Sequence, residues 1–254
     1  RGSSSGLRAL MMGAASPTCN ETTAMLNRSL AGTLALLLSV ATAHAAGRTL
    51  DAAASAQPDG TTLNTVALQN AIDTLSADGG GTLHFPAGNY LTGTLQLKSG
   101  LTLYFDENAT LLGSTDAGDY RNLDPFIDGS GNPMGQALAV ALDADHVAIE
   151  GPGLIDGQCA KLAAKQRPFT VRPFLVRFVR CSNITLKGIH LANPGAWTLN
   201  FSQSKDATIA NVTIRSRDQK LRNNDGINID SSENIKVTDC DVISGDDALV
   251  IKST

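Results

Sequence analysis

A pattern of four apolar positions recurs along the chain and limits the folds it can form. The copies are Ile184, Leu186, Ile189 and Leu191; Ala207, Ile209, Val212 and Ile214; and Ile235, Val237, Cys240 and Val242. All four positions advance by 23 residues from the first copy to the second, and by 28 to the third. This spacing fits two short strands separated by a tight corner, with the same side chains pointing inward on every turn. The repeat therefore predicts a solenoid of strand-rich coils, a parallel β-helix.

Other short apolar runs support this all-β architecture, because no helical crossovers separate them. Strands are predicted at residues 82–85, 101–105 and 147–149. An earlier copy of the repeat, Val147 and Ile149 with Gly151 and Leu154, precedes the first by 37 residues, so that coil is expected to carry an insertion. Asn183 and Asn234 stand one residue before the inward positions, where their amides can stack at the corner. A β-sandwich with a chance alignment is the alternative.

One helix is expected before the strands begin. Leu68, Ile72 and Leu75 fall at helical spacing, Asn64 can cap the first turn, and a run of three glycines from Gly79 ends the pattern. The open end of a solenoid leaves a strand edge unpaired. We therefore expect this helix to cap the N-terminal end of the β-helix.

Composition and charge narrow the function classes. The chain has 254 residues, of which 42% are hydrophobic and 17% charged, enough for one sizeable core. A formal charge of −4 without a clustered Lys/Arg run gives no electrostatic footprint for nucleic acid. The cysteines Cys19, Cys159, Cys181 and Cys240 are scattered without metal-ligand spacing. No cofactor is predicted, and the last three cysteines are expected in or near the core.

The first 45 residues are expected to be removed rather than folded. From Met25 the sequence has a short region with Arg28, an apolar run over 30–41 and a small-x-small site ending at Ala45. This pattern predicts a secretory signal peptide at 25–45 and an extracellular or periplasmic mature protein. The run is short for a bilayer span, although an N-terminal anchor helix is the alternative.

The two ends of the sequence suggest a piece of a longer protein. Residues 1–24 lack an initial Met and are interpreted as an upstream extension or scar. Residues 251–254 read as the middle of a strand. Residues 46–254 are therefore expected to form the N-terminal portion of the solenoid, with further coils after it, and to have little activity alone.

Three aspartates form a candidate catalytic site. Placing residues 225–232 over 247–254 gives an offset of 22, with Asp, Ile and Ser matching. Asp225 and Asp247 should therefore lie on neighbouring coils, about 5 Å apart in strand spacing, with Asp246 one residue out of that register. Such carboxylates repel, so stability alone would hardly favour them. Two can share a water while the third holds a proton, which suits inverting glycosidic cleavage; turn aspartates are the alternative.

The residues around these aspartates resemble a known family. N-N-D-G at 223–226 and S-G-D-D at 244–247 are similar to the N-T-D-G and G-D-D motifs of the polygalacturonases, glycoside hydrolase family 28. Further segments that read like this family, in its usual order, are 65–73, 85–90, 97–99, 153–157, 172–174, 193–197 and 251–253. The likeness covers the chain from residue 50 or so to its end.

The resemblance implies a fold, a reaction and a partner. The members of this family are right-handed parallel β-helices of the pectin-lyase-like kind. They hydrolyse α-1,4-galacturonosyl bonds in pectin with inversion and without a metal. By motif, Asp225, Asp246 and Asp247 are expected to be catalytic, with Asp246 as the acid and the other two holding the water. The implied partner is a pectic polysaccharide, bound by a monomer that is free of membrane after processing.

Two further residues are candidates for substrate binding. Asn223 can orient an aspartate or a sugar hydroxyl, with simple turn formation as the alternative. Lys252 is the cation nearest the aspartates in sequence and can steady a carboxylate or touch substrate, with a solvated strand-edge lysine as the alternative. Trp197, the only Trp, either packs in the fold or stacks on a sugar.

Several positions depart from the family pattern. Asn224 stands for the usual Thr, Asn228 for a frequent Asp and Ala248 for a common Cys, and none of these removes a catalytic carboxylate. The family's later G-H-G histidine and R-x-K pair, the cations that would grip galacturonate, have no counterpart in the sequence. His190 is the last histidine and is expected to face outward.

Two other functions fit a strand-rich solenoid. A polysaccharide lyase would cut uronans by β-elimination with calcium and a basic residue, and would release products with an ultraviolet-absorbing double bond. A non-catalytic β-helix adhesin would bind a glycan without releasing reducing ends. The sequence leaves open endo or exo attack, and plain galacturonan against rhamnogalacturonan or substituted pectin.

Overall fold

The computed structural model describes residues 47–129, 131–216 and 221–253. The expected signal peptide at 25–45 and the upstream residues 1–24 lie outside these ranges, so both stay predictions. None of the helices in the described ranges has the length and apolar character needed to cross a membrane.

Short strands wind into coils that build three parallel sheets. The first sheet contains β1 (Arg48–Asp51), β2 (Gly81–Phe85), β5 (Leu101–Phe105), β9 (Asp145–Glu150), β12 (Ser182–Lys187), β15 (Lys205–Ala210) and β18 (Glu233–Thr238). The second contains β3 (Gly88–Thr92), β6 (Ala109–Gly113), β10 (Leu154–Asp156), β13 (His190–Ala192), β16 (Thr213–Arg215) and β19 (Asp241–Ile243). The third contains β4 (Leu95–Leu97), β8 (Pro133–Leu142), β11 (Phe174–Val179), β14 (Leu199–Ser202), β17 (Ile227–Asp230) and β20 (Leu249–Lys252). The predicted right-handed parallel β-helix is confirmed.

The apolar repeat read from the sequence sets the register of the coils. Ile184 pairs with Ala207, and Ala207 with Ile235, in the first sheet. Leu191 pairs with Ile214 in the second sheet. All but the half-buried Ile235 are buried in the core of the solenoid. The predicted offsets are therefore confirmed, because the positions aligned in sequence are neighbours in the sheets.

The earlier copy of the repeat is out of register in its second strand. Its first strand, β9, pairs with β12 at the predicted offset of 37. In the second sheet, however, Leu191 pairs with Ile155 rather than with Leu154, and Ile155 is the buried side chain. The corner between β9 and β10 is one residue longer than the corner between β12 and β13. That extra residue exchanges the inward and outward positions.

Left-handed backbone recurs near the start of the strands in the first sheet. Asn183 and Asn234 have φ angles of 53° and 55°, and Asp206 on the coil between them has 56°. Asn and Asp are among the few side chains that adopt this conformation readily. Nδ2 of Asn234 donates to Oδ1 of Asp206 (3.0 Å), and Nδ2 of Asn183 to Oδ1 of Asp145 (2.7 Å). Amide-to-carboxylate bonds therefore take the place of the expected amide stack.

The predicted helix is present as α1 (Thr65–Ala77), with Leu68, Ile72 and Leu75 buried. It packs against β1, β2, β4 and β5. The predicted side-chain cap is wrong, because Asn64 uses its amide elsewhere: Oδ1 accepts from the backbone N–H of Gln57 (2.7 Å) and Nδ2 donates to the Gln57 carbonyl (2.9 Å). The role of α1 in closing the N-terminal end stays a prediction.

A hairpin interrupts the coils and lies against the outer face of the third sheet. Its first strand, β7 (Asn122–Ile127), pairs antiparallel with β8. Beside it, a small apolar cluster outside the main core contains Met134, Ala137, Val140, Phe174, Ala196 and Trp197. Phe126 of the hairpin packs on Phe174, with ring centroids 6.3 Å apart. The third sheet is therefore apolar on its inner face and partly covered on its outer face.

The remaining elements are short. Two 3₁₀ turns lie at Ala52–Ala54 and Ala117–Asp119, and a second helix, α2 (Cys159–Ala164), lies in the insertion before β11. Cys159 and Cys181 are buried and Cys240 is half-buried, all as free thiols, which confirms their expected positions. Cys19 lies outside the described ranges. His190 is exposed on the second sheet, as expected.

Candidate active site

Adjacent coils hold Asp225 and Asp247 at the same point of the turn. β17 pairs with β20 at an offset of 22 residues. Main-chain bonds extend the ladder beyond these strands: the N–H of Gly226 donates to the Asp247 carbonyl (2.9 Å), and the N–H of Thr198 donates to the Asp225 carbonyl (2.9 Å). The predicted stacking of the two aspartates is therefore confirmed.

Two glycines let the segments that carry the aspartates approach closely. A Cβ on Gly226 would lie 2.4 Å from the carbonyl oxygen of Ala248 on the next coil, and one on Gly245 would lie 2.5 Å from Oδ1 of Asn224. Asn224 is buried, and its Nδ2 donates to the Ser216 carbonyl while Oγ of Ser216 donates to the Asn224 carbonyl (2.9 Å). The Asn in place of the family's usual Thr thus anchors the segment that bears the first aspartate.

The three aspartates differ in exposure. Asp225 is only 7% exposed, whereas Asp246 and Asp247 are exposed on the loop between β19 and β20. Burial raises the pKa of Asp225 above its ordinary 3.8, and the charges of Asp246 and Asp247 raise it further; the neighbouring Asn228 amide and the charge of Lys252 oppose this rise. Asp225 therefore holds a proton more tightly than a free aspartate, and its ionised form is a stronger base.

The charges of Asp246 and Asp247 both raise the pKa of Asp225, so both residues lie within electrostatic range of it. Asp246 acts on Asp225 although it stands one residue outside the stacked register. Its loop is held by Ser244, whose Oγ donates to the Asp246 carbonyl (2.8 Å). Within the described ranges, no group of three or more His, Cys, Asp or Glu side chains is arranged to hold a metal ion.

Lys252 reaches the aspartates from an aromatic support. Its Nζ lies 3.7 Å from the centroid of the Trp197 ring, and its charge lowers the pKa of Asp225. A cation–π contact of this kind contributes about 0.5–2 kcal/mol. Trp197 is buried and packs on Phe174 and Phe126, with ring centroids 5.1 and 6.2 Å away. Trp197 is thus a packing residue that also positions Lys252.

Asn223 is held by an arginine that the sequence did not assign to the site. Oδ1 of Asn223 accepts from Nη1 and Nη2 of Arg172 at 3.3 and 3.4 Å. Arg172 also donates from Nε to the Gly195 carbonyl (3.2 Å) and from Nη2 to the Arg222 carbonyl. Burial lowers the pKa of Arg172, whereas the charge of Asp225 raises it, so these two groups lie within electrostatic range of each other. The only sequence signal was the family likeness of its segment.

A groove lies over the C-terminal ends of β11, β14 and β17. Its polar lining consists of Asp124, Arg177, Arg180, Ser202, Gln203 and Asp230. Arg177 donates to the Asp124 carbonyl (3.0 Å) and lies 5.0 Å from the Phe126 ring centroid. Arg180 pairs with Asp143 (2.7 Å) and with Asp124 (3.2 Å). Both arginines are engaged by protein groups, and the three predicted catalytic aspartates do not line this groove.

Fold and site together define a class of protein. A parallel β-helix that places Asp246, Asp247 and Lys252 within electrostatic range of the buried Asp225 offers the paired carboxylates that glycoside hydrolysis uses, which is the class of a β-helical carbohydrate-active protein. Comparison with known sequences narrows the class. The chain belongs to glycosyl hydrolases family 28, whose family model matches residues 76–254.

Several polygalacturonases are similar to the chain. A probable polygalacturonase from Vitis vinifera is 33% identical over 208 residues, covering 77% of this chain and 42% of that protein. An endo-polygalacturonase from Pectobacterium parmentieri is 29% identical over 209 residues, covering 74% and 51%. The crystal structure of a hyperthermoactive exopolygalacturonase from Thermotoga maritima has a TM-score of 0.69 and 28% identity, covering 81% of this chain and 55% of that one. The chain spans about half the length of the curated relatives it matches.

Proposed function

We propose that the full-length protein hydrolyses α-1,4-galacturonosidic bonds in polygalacturonate or a related pectic polysaccharide, with inversion and without a metal. The observation that carries this proposal is the stacking of Asp225 on Asp247 with Asp246 in electrostatic contact. Family membership and the polygalacturonase relatives support the substrate class.

In the proposed reaction the aspartates divide the work. Asp225 and Asp247 hold one water and accept its proton as the water oxygen attacks the anomeric carbon. Asp246 gives its proton to the glycosidic oxygen as the bond between carbon and oxygen breaks, which leaves a hydroxyl on the departing sugar. Attack from the face opposite the leaving group inverts the anomeric configuration. The raised pKa of Asp225 suits the base, because a stronger base removes a proton more readily.

Asn223 and Lys252 are the proposed substrate-binding residues. Oδ1 of Asn223 is engaged by Arg172, and in the described ranges no residue bonds its Nδ2, which can donate to a sugar hydroxyl. The ammonium of Lys252, held over Trp197, offers a point charge to a galacturonate carboxylate.

Product analysis tests this proposal. With polygalacturonate as substrate, we expect new reducing ends that first appear in proton NMR with the configuration opposite to the α-linkage. A chelator should leave the rate unchanged, and the products should lack the ultraviolet absorbance of an unsaturated uronate. Calcium-dependent, absorbing products would identify a lyase instead. Tight binding without new reducing ends would identify a glycan-binding protein.

The location of the protein is a further proposal that rests on the sequence alone. We expect export with removal of residues 25–45, and a mature, monomeric protein that begins at Ala46 and carries no membrane span. N-terminal sequencing of the secreted material checks this. A secreted protein that began at residue 1 would contradict it.

A further inference from the structure

Two arginines border the aspartates on the side of Asn223. Arg172, half-buried in the loop before β11, ties together Gly195, Arg222 and Asn223 by the hydrogen bonds described above. The side chain of Arg222 is exposed and makes no hydrogen bond or ion pair with any described residue. A cationic patch therefore forms where the loop before β11 meets the segment that leads to Asp225, in which Arg222 stands three residues before the aspartate.

The positive charges of this patch do not favour folding by themselves. Burial and the positive charge of Arg222 lower the pKa of Arg172. The negative charges of Asp128 and Asp225 raise it. The neighbouring guanidinium groups thus repel each other in a partly desolvated place. Among the described residues, Arg172 makes no direct ion pair with a carboxylate. An anion that binds between the two arginines would remove this repulsion.

Four other arginines in the described ranges are held in ion pairs. Ion pairs join Arg48 to Asp78, Arg177 to Asp124, Arg180 to Asp143 and Arg215 to Asp241. A guanidinium carries five N–H donors, and the acceptors around Arg172 occupy at most four of them. At least one N–H of its Nη1 therefore remains for a ligand, beside the whole guanidinium of Arg222.

We propose that Arg172 and Arg222 form a binding site for the carboxylate of a galacturonate unit next to the cleaved bond. Guanidinium and carboxylate groups form strong charge-assisted hydrogen bonds, often in bidentate pairs. Arg172 also holds Asn223. One side chain therefore binds the uronate and fixes the segment that leads to Asp225. This inference rests on the proposed function and adds a cationic subsite distinct from Lys252.

Paired ligands separate carboxylate binding from a merely structural role. The full-length protein is titrated calorimetrically with trigalacturonate and with α-1,4-linked galactotriose, which has the same sugar shape without carboxylates. Arg222→Gln should weaken trigalacturonate binding about tenfold, the effect of losing one charge-assisted contact, and leave galactotriose binding unchanged. Arg172→Gln also releases Asn223, so it should weaken the binding of both ligands, and that of trigalacturonate more strongly. Arg172→Lys keeps the charge but loses the planar fork, so its loss should be smaller. Arg215→Gln, on the second sheet, is the control and should bind both ligands as the wild type does.

Each result bears on the proposal. Equal weakening for both ligands would show a tether and overturn the carboxylate site, as would wild-type affinity for trigalacturonate in Arg222→Gln. If Arg172→Gln does not fold, the exposed Arg222→Gln still decides. A wild-type protein that fails to prefer trigalacturonate to galactotriose would instead reject the proposed substrate class, so the two failures are distinguishable.

Discussion

Asp225 has a proposed catalytic role, and its burial lowers the stability of the folded protein when its carboxyl group is ionised. Its pKa is raised in the folded protein, so the folded state binds this proton more tightly than the unfolded chain does. The stability that follows from this proton is fully present below the unfolded pKa and is lost as pH rises through the folded one. Ionised Asp225 therefore destabilises the fold at neutral pH.

The first prediction follows from this destabilisation of the fold by ionised Asp225. Asp225→Asn should lose activity yet raise the melting temperature at neutral pH by a few degrees, since a domain of 150–250 residues gains about 2–4 °C per kcal/mol. The gain should vanish near pH 3, about a unit below the ordinary pKa of a carboxyl. Differential scanning calorimetry across this pH range measures it. Asp247→Asn is the matched control, with a smaller gain because Asp247 is exposed; a lower melting temperature for Asp225→Asn at neutral pH would contradict the argument.

The second prediction separates acid from base. Asp246 stands one residue outside the stacked pair, so Asp246→Asn should reduce cleavage of polygalacturonate by about 10²–10⁴-fold. It should keep most of its activity on a galacturonoside with an activated leaving group, which needs little protonation. Asp225→Asn and Asp247→Asn should lose both activities, as measured by kcat/KM.

Two outcomes would change this assignment. If the activated substrate rescues Asp247→Asn rather than Asp246→Asn, the acid is the neighbouring residue. If all three variants keep wild-type turnover, the site lies elsewhere in the molecule.

For individual residues, the sequence predicted some positions and contacts and missed others, in each case for a physical reason. The stacking of Asp225 on Asp247 followed from a repeat, because aligned positions of a solenoid become neighbours. Arg172 was missed because its contact with Asn223 spans 51 residues and its other bonds go to main-chain carbonyls. The side chain of Asn64 satisfies a local loop rather than the helix, and propensity does not distinguish these uses.

The lengths of the corners between successive strands decide how far the register of the coils can be predicted from the sequence. The coils from β12 to β19 have corners of equal length, so period alone placed their inward side chains correctly. The longer corner after β9 turned Ile155 inward in place of Leu154. The hairpin of β7 and β8 has no counterpart in the repeat, which is why the covered outer face of the third sheet was not foreseen.

The third prediction concerns the contact between β17 and β20. Gly226→Ala places a methyl group against the Ala248 carbonyl, so the coils must separate. We expect a loss of about 1–3 kcal/mol in the free energy of unfolding and a fall in kcat/KM, because Asp225 and Asp247 move apart. Denaturant unfolding and steady-state kinetics measure the two effects.

Gly129→Ala is the matched control for this substitution. A Cβ at Gly129 meets no atom within 4 Å, so the change should stay within about 0.5 kcal/mol. Equal stability and activity in the two variants would show that close packing of these coils is unnecessary for the site.

For the whole molecule, the solenoid makes each coil depend on its neighbours. Leu249 and Ile251 of β20 are 50% and 78% exposed, although their partners one coil earlier, Ile227 and Ile229, are 1% and 8% exposed. In the described ranges β20 pairs only with β17, so a protein that ended there would present these apolar side chains along an unpaired strand edge. Such an edge pairs readily with another chain.

The last prediction is that a protein consisting of residues 46–254 associates through this edge and hydrolyses polygalacturonate poorly compared with the full-length protein. Light scattering on a dilution series should show concentration-dependent association, and a reducing-end assay should show the low activity. Ile251→Lys should weaken association, because a charge on an edge strand opposes pairing. Ile127→Lys should leave association unchanged, because Ile127 is also exposed, at 65%, but lies on the hairpin and not on this edge. A monomeric 46–254 protein with full activity would show that the exposed edge and the residues beyond it are dispensable.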